Sequence, residues 1–288
     1  MSQSRSASTA ACHAPYEHLR ELAHKLPQAP GVYFFYGSGA LPLYIGKSIN
    51  IRTRVLSHLR AEDEVRMLRQ TQRFEFQLTA GELGALLLEA QLIKQHQPLY
   101  NHKLRRSRQL CAWRMSPGGT LELVHAKDMN FAQTPDLFGL YASRRSAQQG
   151  LRDLADQHQL CHVELGLEKS MGTRGCFRFM LKQCRGVCCG LERTEQHARR
   201  LRKALQALAI RTWPYDGAIA LHEKAIDPLL NQPRQQWHVV HNWCYLGSAP
   251  TQRAARKLAR VESGFDADGY QILCKPILMG RLPVVELV

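Results

Sequence analysis

Side chains able to bind phosphate or move a proton lie close together near the start of the chain. Tyr33 and Tyr44 flank a glycine-rich turn, and Lys47, Arg54 and His58 follow within a few turns of predicted helix. Phosphodiester cleavage needs a proton acceptor for water and cations that neutralise charge in the transition state. Arginine can donate two hydrogen bonds to a phosphate, and an ammonium such as that of Lys47 can lower a tyrosine's pKa. The combination indicates phosphoryl chemistry, although either tyrosine by itself is typical of strand packing.

A carboxylate further along the chain is a candidate metal ligand. Glu89 lies in the predicted helix GELGALLLEAQLIKQH, between an apolar face and a second apolar patch formed by Leu88 and Leu92. We expect it at the edge of a cleft, because it is poorly placed for full solvation. One or two carboxylates and several waters are the usual way in which proteins hold Mg²⁺ beside a phosphate. A plain boundary glutamate is the alternative.

The elements that must position these side chains follow the order strand, strand, helix, strand, helix. Alternation predicts a strand over 32–36, with Val32, Phe34 and Tyr36 on one face and Tyr33 on the other, and a returning strand over 43–45. Helices are predicted after Ser48 or Asn50 and up to Pro98, with a strand at 74–78 between them. This order predicts an α+β domain over residues 18–108, a small antiparallel sheet with helices packed on it.

Two further regions are expected after this domain. Residues 109–191 form a cysteine-rich region, and residues 192–288 form a C-terminal α+β region that begins with a basic helix. Strands are predicted there at 217–221, 237–245 and 270–278. Residues 1–17 have no apolar core of a signal peptide and are predicted to be a disordered tail.

The composition indicates a cytoplasmic protein that binds a polyanion. The net charge is +15 over 288 residues, and such a surface gains affinity for phosphate backbones by releasing their counterions. No apolar run approaches the roughly 20 residues that span a bilayer, so no membrane association is expected. Nine cysteines, an odd number crowded into one region, favour metal ligation over disulfides in this compartment.

The opening motifs resemble the signature of GIY-YIG nucleases of the UvrC type. The resemblance is carried by GVY at 31–33, YIGK at 44–47, Arg54 seven residues after the lysine, and LLLEAQLIKQHQPLYN with Glu89 and Asn101. It implies a Mg²⁺- or Mn²⁺-dependent DNA endonuclease, with Glu89 as the metal ligand and Asn101 in the site. Most members have a further tyrosine where this chain has His58, so His58 is expected to relay a proton or to bind phosphate. Which tyrosine acts as the base stays open.

The cysteine-rich region resembles the corresponding segment of UvrC-like proteins. CFRFMLKQCRGVC contains Cys176, Cys184 and Cys188, and the resemblance implies a [4Fe–4S] cluster with Cys161 as the fourth ligand and Cys189 as a spare thiol. Structural zinc is the alternative, weakened because no CxxC pair is present. Free buried thiols are a third possibility.

Within this family the chain is expected to be a short UvrC homologue with a single nuclease centre. The resemblance implies one cut, on the 3′ side of a lesion, in damaged double-stranded DNA bound by UvrB after loading by UvrA. Residues 192–288 are expected to supply a partner-binding surface, with Trp237 and Trp243 either as its anchors or, as we favour, as buried strand aromatics. The alternatives are a related nuclease that cuts branched or foreign DNA, or assists a polymerase, without UvrB, and a non-catalytic DNA-binding protein.

Overall fold

A computed structural model of the chain describes residues 16–101, 110–169, 175–226, 233–261 and 263–287. The predicted tail, apart from its last two residues, lies outside this part. The chain divides into two compact units. The first contains residues 1–105, 221–238 and 247–255, and the second contains residues 106–220, 239–246 and 256–288. The predicted boundaries at 108 and 191 stay predictions.

The first unit contains the predicted small antiparallel sheet. Its strands are β1 (Gly31–Tyr36), β2 (Pro42–Ser48) and β3 (Arg73–Leu78), in the order β2-β1-β3. The register pairs Tyr33 with Gly46 and Phe35 with Tyr44. The expected alternation along β1 is present, because Tyr33 and Phe35 enter one core cluster while Val32 and Phe34 enter another. The sheet therefore has a packed core on both faces.

Helices cover both faces of this sheet. They are α1 (Glu17–His24), α2 (Ile51–His58), α3 (Val65–Leu68) and α4 (Glu82–His96). The side chain of Asn50 accepts a hydrogen bond from the backbone N–H of Thr53, so Asn50 is the N-cap of α2. Ile51, Val55 and Leu59 form the expected apolar stripe and pack with Tyr33 in one cluster. This packing directs the C-terminal turn of α2 towards β1.

The second unit contains another three-stranded sheet, which the sequence patterns did not predict. Strands β4 (Cys111–Met115), β5 (Leu121–His125) and β6 (Leu137–Tyr141) form it in the order β5-β4-β6. Helix α5 (Arg144–Gln157) packs on β4 and β6. The short helix α6 (Phe177–Met180) and the basic helix α7 (Thr194–Leu205) follow. Helix α7 confirms the expected basic helix.

A four-stranded sheet contains the C-terminal strands. These are β7 (Ile219–Ile226), β8 (Pro233–His241), β9 (Cys244–Ala249) and β10 (Val284–Glu286), in the order β10-β7-β8-β9. The single strand predicted over 237–245 is wrong, because Asn242 and Trp243 both have positive φ and form a turn between β8 and β9. Trp243 is fully buried, so it is a core residue and not an interface anchor.

The strand predicted over 270–278 is also wrong. These residues belong to helix α9 (Ala267–Leu278), which follows helix α8 (Gln252–Leu258). Asp266 caps α9 by accepting a hydrogen bond from the backbone N–H of Gly269, and the buried residues Gly269, Leu273 and Ile277 recur every four positions. The β-branched and aromatic residues favoured a strand, but the cap and the helical period of burial decide the structure.

The mixture of sheets and helices confirms the α+β class. None of the helices within the described ranges has the length and apolar character required to cross a membrane.

Candidate active site

Tyr33 lies at the centre of the candidate site, on the central strand of the first sheet. Its side chain is about 1% exposed, and its ring lies over Gly46 on the neighbouring strand. A Cβ added at Gly46 would come within 2.4 Å of the Tyr33 hydroxyl oxygen. Only glycine therefore permits the phenol to occupy this position, which gives a physical reason for the glycine of the YIG motif.

The hydroxyl of Tyr33 is linked to a buried histidine and a carboxylate. Its oxygen lies 2.7 Å from Nε2 of His58, and Nδ1 of His58 is hydrogen-bonded to Oε2 of Glu64. His58 is about 2% exposed, and burial lowers its pKa despite the opposing effect of Glu64. With Nδ1–H donated to Glu64, Nε2 is free to accept a hydrogen bond from the Tyr33 hydroxyl. The three groups form a hydrogen-bonded chain that orients the Tyr33 hydroxyl, and because burial raises the pKa of Tyr33 and lowers that of His58, the proton stays on Tyr33.

The second phenol and the arginine lie nearer to solvent. Tyr44 is half-buried, with its ring centroid 6.2 Å from that of Tyr33 and 5.4 Å from that of His58. Arg54 is exposed on α2, and its guanidinium interacts electrostatically with both phenols. Arg54 is also hydrogen-bonded to Tyr33, so it connects the buried phenol with the solvent-exposed side of the site.

Glu89 lies on α4 beside the same strands. Its Oε1 accepts a hydrogen bond of 3.0 Å from the backbone N–H of Lys47. Burial raises its pKa from 4.5 to about 7, and the Lys47 hydrogen bond, the Lys47 charge and the Arg54 charge oppose this rise. Burial destabilises the ionised form of this carboxylate, and a bound cation would compensate for the lost hydration, so Glu89 is well suited to bind one.

Lys47 does not have the electrostatic role that the sequence suggested. Its Nζ lies 2.8 Å from Oε1 of Glu82, in an exposed ion pair. Burial raises the pKa of both Tyr33 and Tyr44, and the main charge effects on the two phenols come from each other, Arg54, Glu89 and Glu64. The lowered phenol pKa expected from Lys47 is therefore absent. The structure shows its backbone N–H bound to Glu89, and a catalytic role of the Lys47 side chain stays a prediction.

Asn101 contacts the edge strand of the sheet. Its Oδ1 accepts a 2.9 Å hydrogen bond from the backbone N–H of Ile45, and its Nδ2 donates a 2.8 Å hydrogen bond to the carbonyl of the same residue. Both functions of the amide therefore bind the backbone of β2 between Tyr44 and Gly46. This places Asn101 as a support for the YIG segment.

Four cysteines of the second unit converge on one point. The sulfur atoms of Cys161, Cys176, Cys184 and Cys188 all lie within 4.8 Å of one another, and the first two are 3.9 Å apart. Four thiolates at about 2.3 Å from one tetrahedral ion lie roughly 3.8 Å apart, so this spacing fits a four-thiolate metal centre. The thiol of Cys189 instead faces the carbonyl of Gly186.

Backbone groups around these sulfurs also fit metal ligation. The N–H of Cys176 donates to Sγ of Cys188, and the N–H of Gly186 donates to Sγ of Cys184. Although burial opposes it, hydrogen bonds from the Cys176 backbone and the other thiols lower the pKa of Cys188, whereas burial raises the pKa of Cys161 and Cys184. The convergence of the four sulfurs and the two backbone donors, rather than the thiol pKa values, therefore favour a metal centre.

Sequence reasoning missed Glu64, the group that orients His58. The only signal was an acidic run at 62–64 that follows the helix with His58. Nothing in that run distinguishes Glu64 from Glu62, which is exposed.

Family models match almost the whole chain. A UvrC-like GIY-YIG domain matches residues 29–102, a UvrC/Cho excinuclease middle domain matches residues 102–207, and an excinuclease Cho C-terminal domain matches residues 218–288. The first match contains every candidate nuclease residue, and the second contains the four converging cysteines.

Individual relatives agree with these models. The chain is 50% identical to excinuclease Cho of Escherichia coli O157:H7 over 272 residues, which are 94% of this chain and 90% of the relative. It is 29% identical to UvrABC system protein C of Caldicellulosiruptor saccharolyticus, over 66% of this chain and 33% of that protein. The magnesium-bound GIY-YIG endonuclease domain of Thermotoga maritima UvrC is 36% identical, with a TM-score of 0.28, over 30% of this chain and 97% of that domain.

The match over nearly the full length of both chains identifies the family, and the nuclease site lies within the matched region. The chain therefore belongs to the excinuclease Cho family and is an excinuclease-type GIY-YIG endonuclease related to UvrC.

Proposed function

We propose that this protein acts in nucleotide excision repair and hydrolyses one phosphodiester bond on the 3′ side of a lesion in damaged double-stranded DNA held by UvrB. One observation carries the proposal: Glu89, Arg54 and the two phenols surround one end of a sheet in a chain that matches excinuclease Cho over 94% of its length. A single centre of this kind makes a single cut.

Glu89 would hold a divalent cation, Mg²⁺ or Mn²⁺, which supplies Lewis-acid stabilisation of the phosphate charge when bound. Its carboxylate is fixed by the Lys47 N–H and has a pKa of about 7 without a cation. The carboxylate gains most from a positive partner because burial deprives it of water. This residue is therefore the principal ligand in the proposal.

Arg54 and Tyr44 would act on the substrate itself. Arg54 is exposed and can donate two hydrogen bonds to the scissile phosphate. Tyr44 is the phenol nearer to solvent, so we assign to it the contact with the attacking water. Tyr33 is nearly inaccessible and its hydroxyl lies 2.7 Å from Nε2 of His58. We propose that Tyr33, His58 and Glu64 form a hydrogen-bonded chain that positions Tyr44 and keeps a proton on Tyr33 beside it.

A basic cleft in the second unit supports DNA as the substrate. It has a volume of about 560 Å³, and Arg185, Arg199 and Lys203 line it. None of these three has an acidic partner within the described ranges. Glu192, the acidic residue of the cleft, is paired with Arg200 at 2.6 Å. Three uncompensated cations fit a phosphate backbone.

The converging cysteines would hold a [4Fe–4S] cluster, with a structural zinc ion as the alternative. The resemblance to UvrC-type proteins supports the cluster. The sulfur spacing of at most 4.8 Å is instead nearer to that around a single ion, because a cluster has four irons between its thiolates and needs a wider spacing. The iron, sulfide and zinc content of the purified protein decides between them. The metal would stabilise the loops between α5 and α7, where few apolar residues are buried.

Incision of a defined substrate tests the proposed function. An end-labelled duplex with one bulky adduct is incubated with the protein and Mg²⁺, with and without UvrA and UvrB, and with Glu89→Gln as the inactive control. A single product cut 3′ to the adduct, formed only with both partners, is the expected result. Equal cutting of branched, undamaged DNA without the partners would move the protein to the alternative nuclease class.

A further inference from the structure

The helix that carries Glu89 is capped by residues from the C-terminal part of the chain. Gly81 is the N-cap of α4 and has no side chain with which to cap it. The carboxylate of Glu223 on β7 does so instead. Its Oε1 accepts a 2.8 Å hydrogen bond from the N–H of Leu83, and its Oε2 accepts a 2.9 Å bond from the N–H of Gly84. A carboxylate at a helix N-terminus also complements the helix dipole.

The neighbouring strand extends this contact and holds Glu223 in place. On β8, Oε1 of Gln236 accepts a 2.8 Å hydrogen bond from the N–H of Ala80. Nε2 of His238, also on β8, lies 3.0 Å from Oε2 of Glu223, and its Nδ1 lies 2.6 Å from the hydroxyl of Ser248. His238 has no exposed surface. The carboxylate is thus bound from both sides.

Glu223, His238 and Ser248 are also the residue types of a hydrolase triad, but their environment excludes that chemistry. Both carboxylate oxygens accept backbone N–H groups of α4, and the imidazole is enclosed in the protein interior. In a hydrolase triad the base must reach a substrate. This network instead connects two strands to the start of a helix.

Two glycines permit the close approach of helix and strands. A Cβ at Gly81 would lie 2.4 Å from Oε1 of Glu223, and a Cβ at Gly84 would lie 2.7 Å from Cε1 of His238. Gly84 is inside α4, where alanine is favoured by about 1 kcal/mol in an isolated helix. The presence of glycine at this position is therefore explained by the contact with His238.

We propose that Glu223 is a positioning residue for the nuclease centre, because it fixes the N-terminal end of α4 and hence the place of Glu89. Glu89 follows Leu83 by six residues, about 9 Å along the helix axis, and its carboxylate must meet the Lys47 N–H. A helix moves as a rigid element over this length. The inference rests on the proposed role of Glu89 as metal ligand and makes the β7–β8 segment part of that site.

The test compares Glu223→Gln with Glu75→Gln in the full-length protein. Both changes remove one negative charge, but Glu75 is an exposed residue of β3. Glutamine has only one acceptor oxygen, so an N–H of α4 loses its partner. We expect faster backbone hydrogen exchange over residues 82–90 without metal or DNA. We also expect about a tenfold higher Mn²⁺ concentration for half-maximal cleavage, with an unchanged KM for DNA.

Further variants separate positioning from general instability. Gly84→Ala, which strengthens an isolated helix, is expected to raise the Mn²⁺ requirement because the methyl group displaces α4 from His238. If Glu223→Gln does not fold, Glu223→Asp replaces it. Its shorter carboxylate must then shift the Mn²⁺ requirement.

The proposal is overturned if the folded Glu223 variant matches the wild type in two measurements. These are backbone hydrogen exchange over residues 82–90 and the Mn²⁺ concentration for half-maximal cleavage. If instead Glu89→Gln still cuts DNA, the proposed role of Glu89 as metal ligand fails. Hydrogen exchange, measured without metal or DNA, still tests whether Glu223 fixes the start of α4.

Discussion

At the scale of the residue, Glu89 couples stability to pH. Its folded pKa is about 7 against 4.5 for the free side chain, so the folded protein retains this proton to a higher pH than the unfolded chain does. The corresponding contribution to the free energy of unfolding is complete below about pH 4.5 and is lost as the pH rises through 7. An ionised Glu89 without a cation therefore destabilises the fold.

Glu89→Gln is accordingly expected to be more stable than the wild type in EDTA at pH 8, by up to roughly 3 kcal/mol. The amide oxygen can keep the Lys47 N–H bond while carrying no charge. The difference should shrink towards pH 5, and Mg²⁺ should stabilise the wild type alone. Thermal unfolding at the two pH values measures this, and a less stable variant at pH 8 would contradict the assigned environment.

Glu64 gives a second prediction at this scale. Its carboxylate fixes the tautomer of His58 whose Nε2 faces Tyr33. Glu64→Ala is expected to lower the cleavage rate at least about tenfold, because proton transfer by a positioned group contributes this much or more. Glu62→Ala removes a carboxylate from the same turn, where it is exposed, and should leave the rate unchanged. Equal rates for the two variants would remove Glu64 from the site.

At the scale of the element, the edge strand β2 depends on a side chain that follows α4. Asn101 satisfies the backbone N–H and carbonyl of Ile45, which the sheet itself leaves without a strand partner because β2 is at its edge. The same strand presents Tyr44 and Gly46. Displacement of this edge would therefore disturb the phenols and the N–H that binds Glu89.

Asn101→Ala is expected to lower the free energy of unfolding by about 1–3 kcal/mol, because two partly buried backbone groups lose their partners. Asn101→Asp should cost more, since a carboxylate oxygen would then face the Ile45 carbonyl. Thermal unfolding and cleavage rates are measured together. If cleavage falls with no change in stability, Asn101 acts in the chemistry and not as a support.

At the scale of the whole molecule, the four converging cysteines and the candidate nuclease site lie in different compact units. Cys184→Ser is expected to abolish the stoichiometric metal and to lower the melting temperature of the protein, because a thiolate ligand is lost. Cys189→Ser is the matched control, since its sulfur lies outside the four-thiol set. Metal analysis and melting curves of the two variants test this assignment. A metal-free Cys189→Ser protein would show that Cys189 is one of the ligands.

The order of the elements in the nuclease domain and the residue types of the candidate site could be predicted from the sequence. Period-two and period-four patterns gave β1, α2 and α4, and motif spacing gave Tyr33, Tyr44, Arg54 and Glu89, because these signals depend on neighbours along the chain. Sequence patterns predicted a strand where α9 lies, because this segment contains strand-forming residues. Its helical period is evident only from which residues are buried.

The groups that support those side chains became evident only in the fold. Glu64 reaches His58 across a turn, and Glu223 reaches α4 from a strand about 140 residues later. Such contacts produce no periodic pattern in the sequence. A carboxylate on a strand or turn looks like any surface carboxylate until the fold shows which N–H or imidazole it contacts. For the same reason the raised pKa of Tyr33 and Tyr44 follows from burial that only the packed core defines.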